Sequence, residues 1–214
     1  MGPLRAGFVY GMMAVVVALV AELRFLFIDP EGMPDWILAA IEGFRTQMTL
    51  AAYLFLGILA ALRVRPVRID LGVPYRSLLL RDCALASTVV AVMVGVTLFI
   101  VTALNATLFA DEIRAYARDA SPRIVAYNEK VAGRLDNPPP VPTVEEVEED
   151  LQPPVLRDLG QSMGNIVLRA ILLGTAGAIV GAVRGSFGSD RGAGQRAPFG
   201  EKQRSPENEK SPQE

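Results

Sequence analysis

Few side chains in this chain could do chemistry, and those few keep unusual company. Glu22, Arg24, Asn105 and Arg169 all fall within or at the edge of otherwise apolar stretches. A charge at the centre of a membrane helix costs roughly 2.5–3.5 kcal/mol, so such groups pair or line a polar cavity. Glu22 and Arg169 lie at matching depths from the same side, which predicts a Glu22–Arg169 ion pair with Arg24 reaching toward Asp29. Independent snorkelling of each side chain to the headgroups is the competing arrangement. Asn105, with Thr102 and Thr107 beside it, could add hydrogen bonds to the cluster.

The remaining inventory excludes much. Without any histidine the chain holds no His-ligated metal and no Ser-His or Cys-His pair. One cysteine, Cys83, cannot form an intramolecular disulfide or a thiolate cluster. No glycine-rich phosphate loop followed by lysine is present, and no regular calcium-loop spacing. The expectation is a non-enzyme without catalytic residues, metal or cofactor.

The elements that position these groups are four apolar stretches, at 7–28, 46–62, 83–110 and 159–183. With 51% hydrophobic residues and a mean hydropathy of +0.32, the chain exceeds ordinary globular usage. The 83–110 run carries no charge and, at 1.5 Å per residue, more than crosses a hydrocarbon core of about 30 Å. The 46–62 run is near the shortest workable span, and Pro34-Asp35 places its helix start earlier. Because Arg5 precedes a short apolar core, a secretory signal competes for the first stretch; the return of apolar residues after Arg24 favours a retained helix. The fold class is therefore an all-α membrane protein of four transmembrane helices, with a transmembrane domain at 1–184 and a tail at 185–214.

Basic residues orient the spans. The 63–82 segment holds Arg63, Arg65, Arg68, Arg76 and Arg81, and the end of the chain adds six more basic residues. By contrast, 29–45 holds only Arg45 among Asp29, Glu31, Asp35 and Glu42. Both termini are thus expected in the cytoplasm and 111–158 outside. The tail is glycine-, serine-, proline- and charge-rich and is expected to be disordered.

The external segment divides further. Residues 111–135 read as helix broken near Pro122, with Ile113, Tyr116, Ala117 and Ala120 at helical spacing. Thr143 and Glu146 form a capping box that predicts a short helix from Val144 to Leu151, bracketed by proline clusters. Its Glu145-Glu146-Val147-Glu148-Glu149-Asp150 run reads as a solvated face, with cation or basic-partner binding as the sharper alternative. So short a segment cannot support a core alone and should pack on the outer helix ends or on a partner.

Two stripes of small residues complete the pattern. The fourth span carries Ala170, Gly174, Gly177, Gly181 and Gly185 on one face, and the first carries Gly7, Gly11, Ala14, Ala18 and Ala21. Small residues at this spacing let helix backbones approach closely in lipid. The stripes predict that the first and fourth helices pack on each other, with a homodimer through the fourth as the alternative. The layout, three closely spaced helices and a long insertion before a glycine-rich fourth, is similar to that of many bacterial inner-membrane proteins. The expected partners are the lipid bilayer and either further copies or a larger membrane complex, with no nucleic acid. The leading functional reading is an accessory, assembly or interaction subunit. A small transporter or channel component using the Glu22/Arg169 site is the second.

Overall fold

In the computed structural model, residues 1–65, 74–138, 140–155 and 159–187 are described, and these contain six α-helices and no strand. The 185–214 tail therefore lies outside the described residues apart from its first three. Four of the helices are long and apolar enough to cross a membrane. The first, α1, spans Pro3–Glu22 with proline in its first turn, where a missing N–H has no intrahelical partner to lose. It ends earlier than the 7–28 stretch suggests. Leu23 closes it by donating to the Leu19 carbonyl, and Arg24–Leu26 forms a 3-10 turn. Helix α2 (Asp35–Arg63) starts directly after Pro34, with Asp35 complementing the partial positive charge of the first turn. Helix α3 (Tyr75–Thr107) likewise starts after a proline, Pro74. The last span, α6, covers Leu159–Phe187 and so runs a turn past the boundary expected near 184.

Helix α3 is the axis of the bundle: α1, α2 and α6 all pack on it. This corrects the expectation that the two small stripes face one another. The α1 stripe meets α3 at Gly7, where an added Cβ would lie 2.7 Å from the Ala86 carbonyl and the Val89 Cβ, and at Gly11 against Met93. The α6 stripe meets α3 at Gly174 (Thr88), Gly177 (Ser87 and the Cys83 carbonyl) and Gly181, where a Cβ would lie 2.7 Å from the Leu80 Cα. Each helix gains more from a close approach to the one long, small-residue-lined neighbour than from contact with the other stripe. Ala84, Ala86, Ser87, Thr88 and Ala91 supply that surface on α3.

Ser87 stands where three helices converge. It is fully buried, donates to the Gly57 carbonyl of α2 at 2.8 Å, and lies directly under Gly177 of α6. One turn away, the Cys83 thiol donates to the Ala61 carbonyl at 3.3 Å. Arg184, reaching from α6, donates to the Ala61 and Val64 carbonyls at 2.7 and 3.1 Å. These contacts satisfy the carbonyls that the α2 C-terminus leaves open. Met1 is held at the same end, its carbonyl accepting from the Arg65 N–H at 2.9 Å.

At the opposite end a helical cap covers the bundle. Helix α3 stops at Thr107, and after a break at Leu108 and Phe109 helix α4 (Ala110–Ala132) sets off, packing on the projecting part of α2. Leu38, Tyr116, Ala120 and Ile124 form a small core there, joined by Phe25, Ile28, Val147 and Leu151. Helix α4 runs through Pro122 rather than breaking at it. An internal proline costs about 3 kcal/mol, but this one sits where the buried face of α4 and the Arg123 side chain hold the helix in place. Arg123 donates to Asp35 at 2.8 Å, to the Met33 carbonyl at 3.0 Å and to the Pro30 carbonyl. The short helix α5 (Val144–Leu151) has the Thr143/Glu146 capping box, both bonds being present at 3.3 and 2.8 Å, and packs on α4.

Gly181 and Gly164 test this packing. An alanine at Gly181 would push against α3 backbone, whereas nothing lies within 4 Å of a Cβ at Gly164. Overpacking of this kind costs about 1–3 kcal/mol. Gly181→Ala should therefore lower the unfolding midpoint in detergent by several degrees, with Gly164→Ala unchanged or higher. Equal midpoints would show that α6 is not held against α3 through its stripe.

Candidate functional site beneath the helical cap

Charge has been concentrated where the cap meets the bundle. Arg24 leaves the 3-10 turn after α1 and forms a two-pronged ion pair with Glu42 of α2, at 2.6 and 2.7 Å. The two side chains are only 11% and 7% exposed, so both have given up most of their water. A buried pair holds only where its other hydrogen-bonding capacity is used, and here it is. The Tyr116 hydroxyl of α4 donates to Glu42 Oε1 at 2.7 Å, and Arg24 also donates to the Ala21 carbonyl at 3.3 Å, closing the end of α1. The guanidinium carbon lies 5.9 Å from the Tyr116 ring centre, within range of a cation–π attraction. Phe25, next in the turn, stacks at an angle on Phe109, 5.8 Å between centres.

The electrostatics follow from this geometry. Burial alone would lower the Arg24 pKa, but the hydrogen bond and charge of Glu42 outweigh it and raise it. Burial pushes the Tyr116 phenol well up, and the Glu42 carboxylate beside it pushes it further, against a smaller opposing effect of Arg24 and Arg45.

Beside this clamp lies a cavity of about 210 Å³ whose wall includes Glu22, Arg24, Arg45, Thr102, Asn105 and Tyr116, with Asp150 to Gln152 of the α5 end on the far side. A second cavity, about 350 Å³, shares Arg45, Asp150 and Leu151 with it. Asn105 is 5% exposed, and its Oδ1 is buried with no hydrogen-bond partner among the described residues. Such atoms are rare in folded proteins.

The structure thus brings three of the four polar residues singled out by sequence, Glu22, Arg24 and Asn105, to one cavity wall. Arg169 is not in that wall, and among the described residues the ion pairs do not include Glu22–Arg169. This is the geometry that results when α1 and α6 lie on α3 with α2 close by, rather than on each other. Arg24 turns inward to Glu42 and away from Asp29, whose carboxylate accepts from the Glu31 N–H at 3.1 Å. Glu42 and Arg45 fall in the 29–45 segment that the sequence sets between the first two apolar stretches, and the structure places both on α2. Their signal was present, since both continue the helix that starts at Pro34-Asp35. Tyr116 was identified only as part of an apolar face.

Among the described residues, no group of three His, Cys, Asp or Glu side chains is placed to hold a metal ion. The cavity wall gathers carboxylate, guanidinium, amide and hydroxyl groups. No known family model, curated protein or solved structure matches the chain, so the site is read from its own geometry.

Removing one partner of a buried pair strands the other, at about 3–5 kcal/mol. Arg24→Gln and Glu42→Gln should each destabilise the protein strongly, and the double variant should cost much less than the sum of the two. Strict additivity in detergent unfolding would mean that the pair is not formed. Tyr116 supplies a pH test. Its folded-state pKa is raised above the usual value near 10, so the folded protein holds that proton more tightly. The resulting stability is complete below about pH 10 and fades as pH rises above it. Tyr116→Phe should flatten the fall in unfolding midpoint between about pH 10 and 12 relative to the unaltered protein; an identical slope would remove the phenol from the clamp.

Proposed function

We propose that the chain is an integral membrane interaction subunit, accessory to the assembly of a larger complex and presenting the α4–α5 cap as its contact surface. The observation that carries this reading is the way the cap is fastened. Two arginines, Arg24 and Arg123, tie the cap and its flanking turn to the outer part of α2 through carboxylates and carbonyls. A connecting segment without a partner has no need of a largely buried, fully satisfied ion pair. A rigid platform for docking does, because preorganisation lowers the entropy lost on binding. The exposed face of α5, with Glu145, Glu149 and Asp150, suits a basic partner surface.

The core weighs against a solute path through one chain. Ala14, Ala18, Tyr53, Val90, Val94 and Leu173 are buried against one another along the spans, leaving the polar groups gathered at one end. A transporter or channel would have to be built from several copies. The distribution of arginines supports a cap that faces outward with both termini in the cytoplasm, and the layout shared with many bacterial inner-membrane proteins supports that membrane as its setting.

One experiment tests position and partnership together. In a Cys83→Ala background, Glu145→Cys is treated in intact cells with a membrane-impermeant thiol cross-linker. The expected result is a cross-linked product containing one other polypeptide in fixed stoichiometry, formed without opening the cells. A chain that reacts only after permeabilisation overturns the orientation, and one that is reached from outside but captures nothing overturns the interaction reading.

A further inference from the structure

We propose that the face of α6 carrying Arg169 and Asn165 is an assembly contact inside the membrane, made with a transmembrane helix of another protein that bears a carboxylate near its middle. The first observation is the depth of Arg169. A Cβ added at Gly57 of α2 would lie 3.4 Å from Leu173 of α6, and further along Arg184 reaches the Ala61 and Val64 carbonyls, so the two helices run the same way. Arg169, one turn before Leu173, is therefore level with Tyr53, one turn before Gly57. That level is about 12 Å of helix from Arg45 and about 15 Å from Arg63, the charges that bound the uncharged 46–62 run. Helix α3 agrees, because Ile166 lies on Gly95, near the middle of the uncharged 83–110 run. Arg169 thus sits close to the bilayer midplane, further from either headgroup level than one side chain covers by snorkelling.

The second observation is that nothing described in the chain completes Arg169. It is partly exposed, and its guanidinium enters no ion pair or hydrogen bond with any described residue. Tyr53, its level neighbour, offers a phenol rather than a carboxylate. Glu22 does not share its depth. Gly11 of α1 meets Met93 of α3, and Glu22 stands eleven residues, about 16 Å of helix, further out. Asn165, one turn from Arg169 on the same face, is exposed and likewise makes no hydrogen bond to a described residue. Around these two, Val167, Leu168, Ile171 and Leu172 are exposed apolar side chains of the kind that lipid accepts. A guanidinium and an amide open to hydrocarbon are not, and such groups pair or face the interior of an assembly.

Charge and depth select the occupant. A guanidinium is balanced by a carboxylate, which it binds through two parallel N–H···O bonds. A second copy of this chain has none at the right level. Within or beside the apolar stretches the carboxylates are Glu22, toward the outer ends, and Asp82, a buried residue already bonded to Arg81. Asp82 is next to Cys83, whose carbonyl meets Gly177, two turns of α6 inward of Arg169. A symmetric pair through this face would set Arg169 against Arg169, and a lipid headgroup does not reach the midplane. The source is an Asp or Glu near the middle of another protein's transmembrane helix, with Asn165 adding an interhelical hydrogen bond. The inference rests on the reading of the chain as an interaction subunit, but it uses a surface separate from the α4–α5 cap.

The probe is a transmembrane peptide of about 20 leucines with one central glutamate, compared with the same peptide carrying leucine or glutamine there. The full chain and each peptide are reconstituted in phosphatidylcholine vesicles, and association is read by energy transfer between fluorescent labels. The glutamate peptide should bind about tenfold more tightly than the leucine peptide, with glutamine between them. Arg169→Leu should remove the preference and Arg169→Lys should keep part of it. Moving the glutamate two turns toward either end of the peptide should weaken binding, because the charges no longer meet. Asn165→Leu should weaken the glutamate peptide about threefold, which keeps the face testable where an Arg169 variant folds poorly. In the chain alone, Arg169→Leu should leave the unfolding midpoint unchanged or higher. Equal binding of the glutamate and leucine peptides, a preference that survives Arg169→Leu, or a midpoint lowered by several degrees in the chain alone overturns the proposal. None of these readouts involves the cap, so a failure of cross-linking through Glu145→Cys and a failure here are separate results.

Discussion

The bundle depends on how closely α6 and α2 can approach α3, and that distance is set at Ser87. Its hydroxyl reaches the Gly57 carbonyl of one neighbour while the absent side chain of Gly177 lets the other neighbour lie on top of it. In lipid there is little hydrophobic gain in bringing one apolar helix against another, so van der Waals contact and interhelical hydrogen bonds must do the work. Both grow steeply as backbones come together. A larger residue at Gly177 or Gly181 would open the three-helix junction, and the Arg184 and Cys83 contacts to the end of α2 would open with it.

The far end of the molecule follows different physics. There α2 and α3 extend beyond the length a bilayer needs, and the projecting α2 turns offer a half-wet surface on which α4 and α5 build a small core. Such a core is too small to be stable alone. It is completed by electrostatics: Arg24, Glu42 and Tyr116 exchange hydrogen bonds across three elements, each group satisfying another that burial would otherwise penalise. The same concentration of polar groups places Glu22, Arg45 and Asn105 in the wall of one cavity. Clamp and cavity are adjacent because both require polar groups at the one level where water, headgroups and helix ends meet.

Much of this was legible in the sequence, and unevenly so. The four spans, the α5 capping box at Thr143 and Glu146, and the apolar face of α4 rest on local rules, such as hydropathy over one helix length or a side chain capping its own first turn. These do not depend on distant partners. Element ends were harder to place. The apolar 23–28 residues resemble more of α1, yet Arg24 leaves the helix because Glu42, 18 residues on, is there to receive it. Pro122 resembles a break, yet α4 continues because contacts from Met33 and Asp35 hold the next residue in place.

What the sequence determined by itself was which residues are too polar for their surroundings and which are small enough to let helices touch. Glu22, Arg24, Asn105, Arg169 and the two stripes are properties of a one-dimensional pattern. Who meets whom was decided only in three dimensions. Both stripes could satisfy themselves on each other or on a third helix, and α3, lined with alanine, serine and threonine on that surface, offered both a closer fit. That choice kept Glu22 and Arg169 out of the ion pairs formed among the described residues. With Arg24 turned inward to Glu42, it left Glu22 and Asn105 in the wall of one cavity. Pairing is a matter of distance between side chains far apart in the chain, and periodicity along one helix carries no information about that distance.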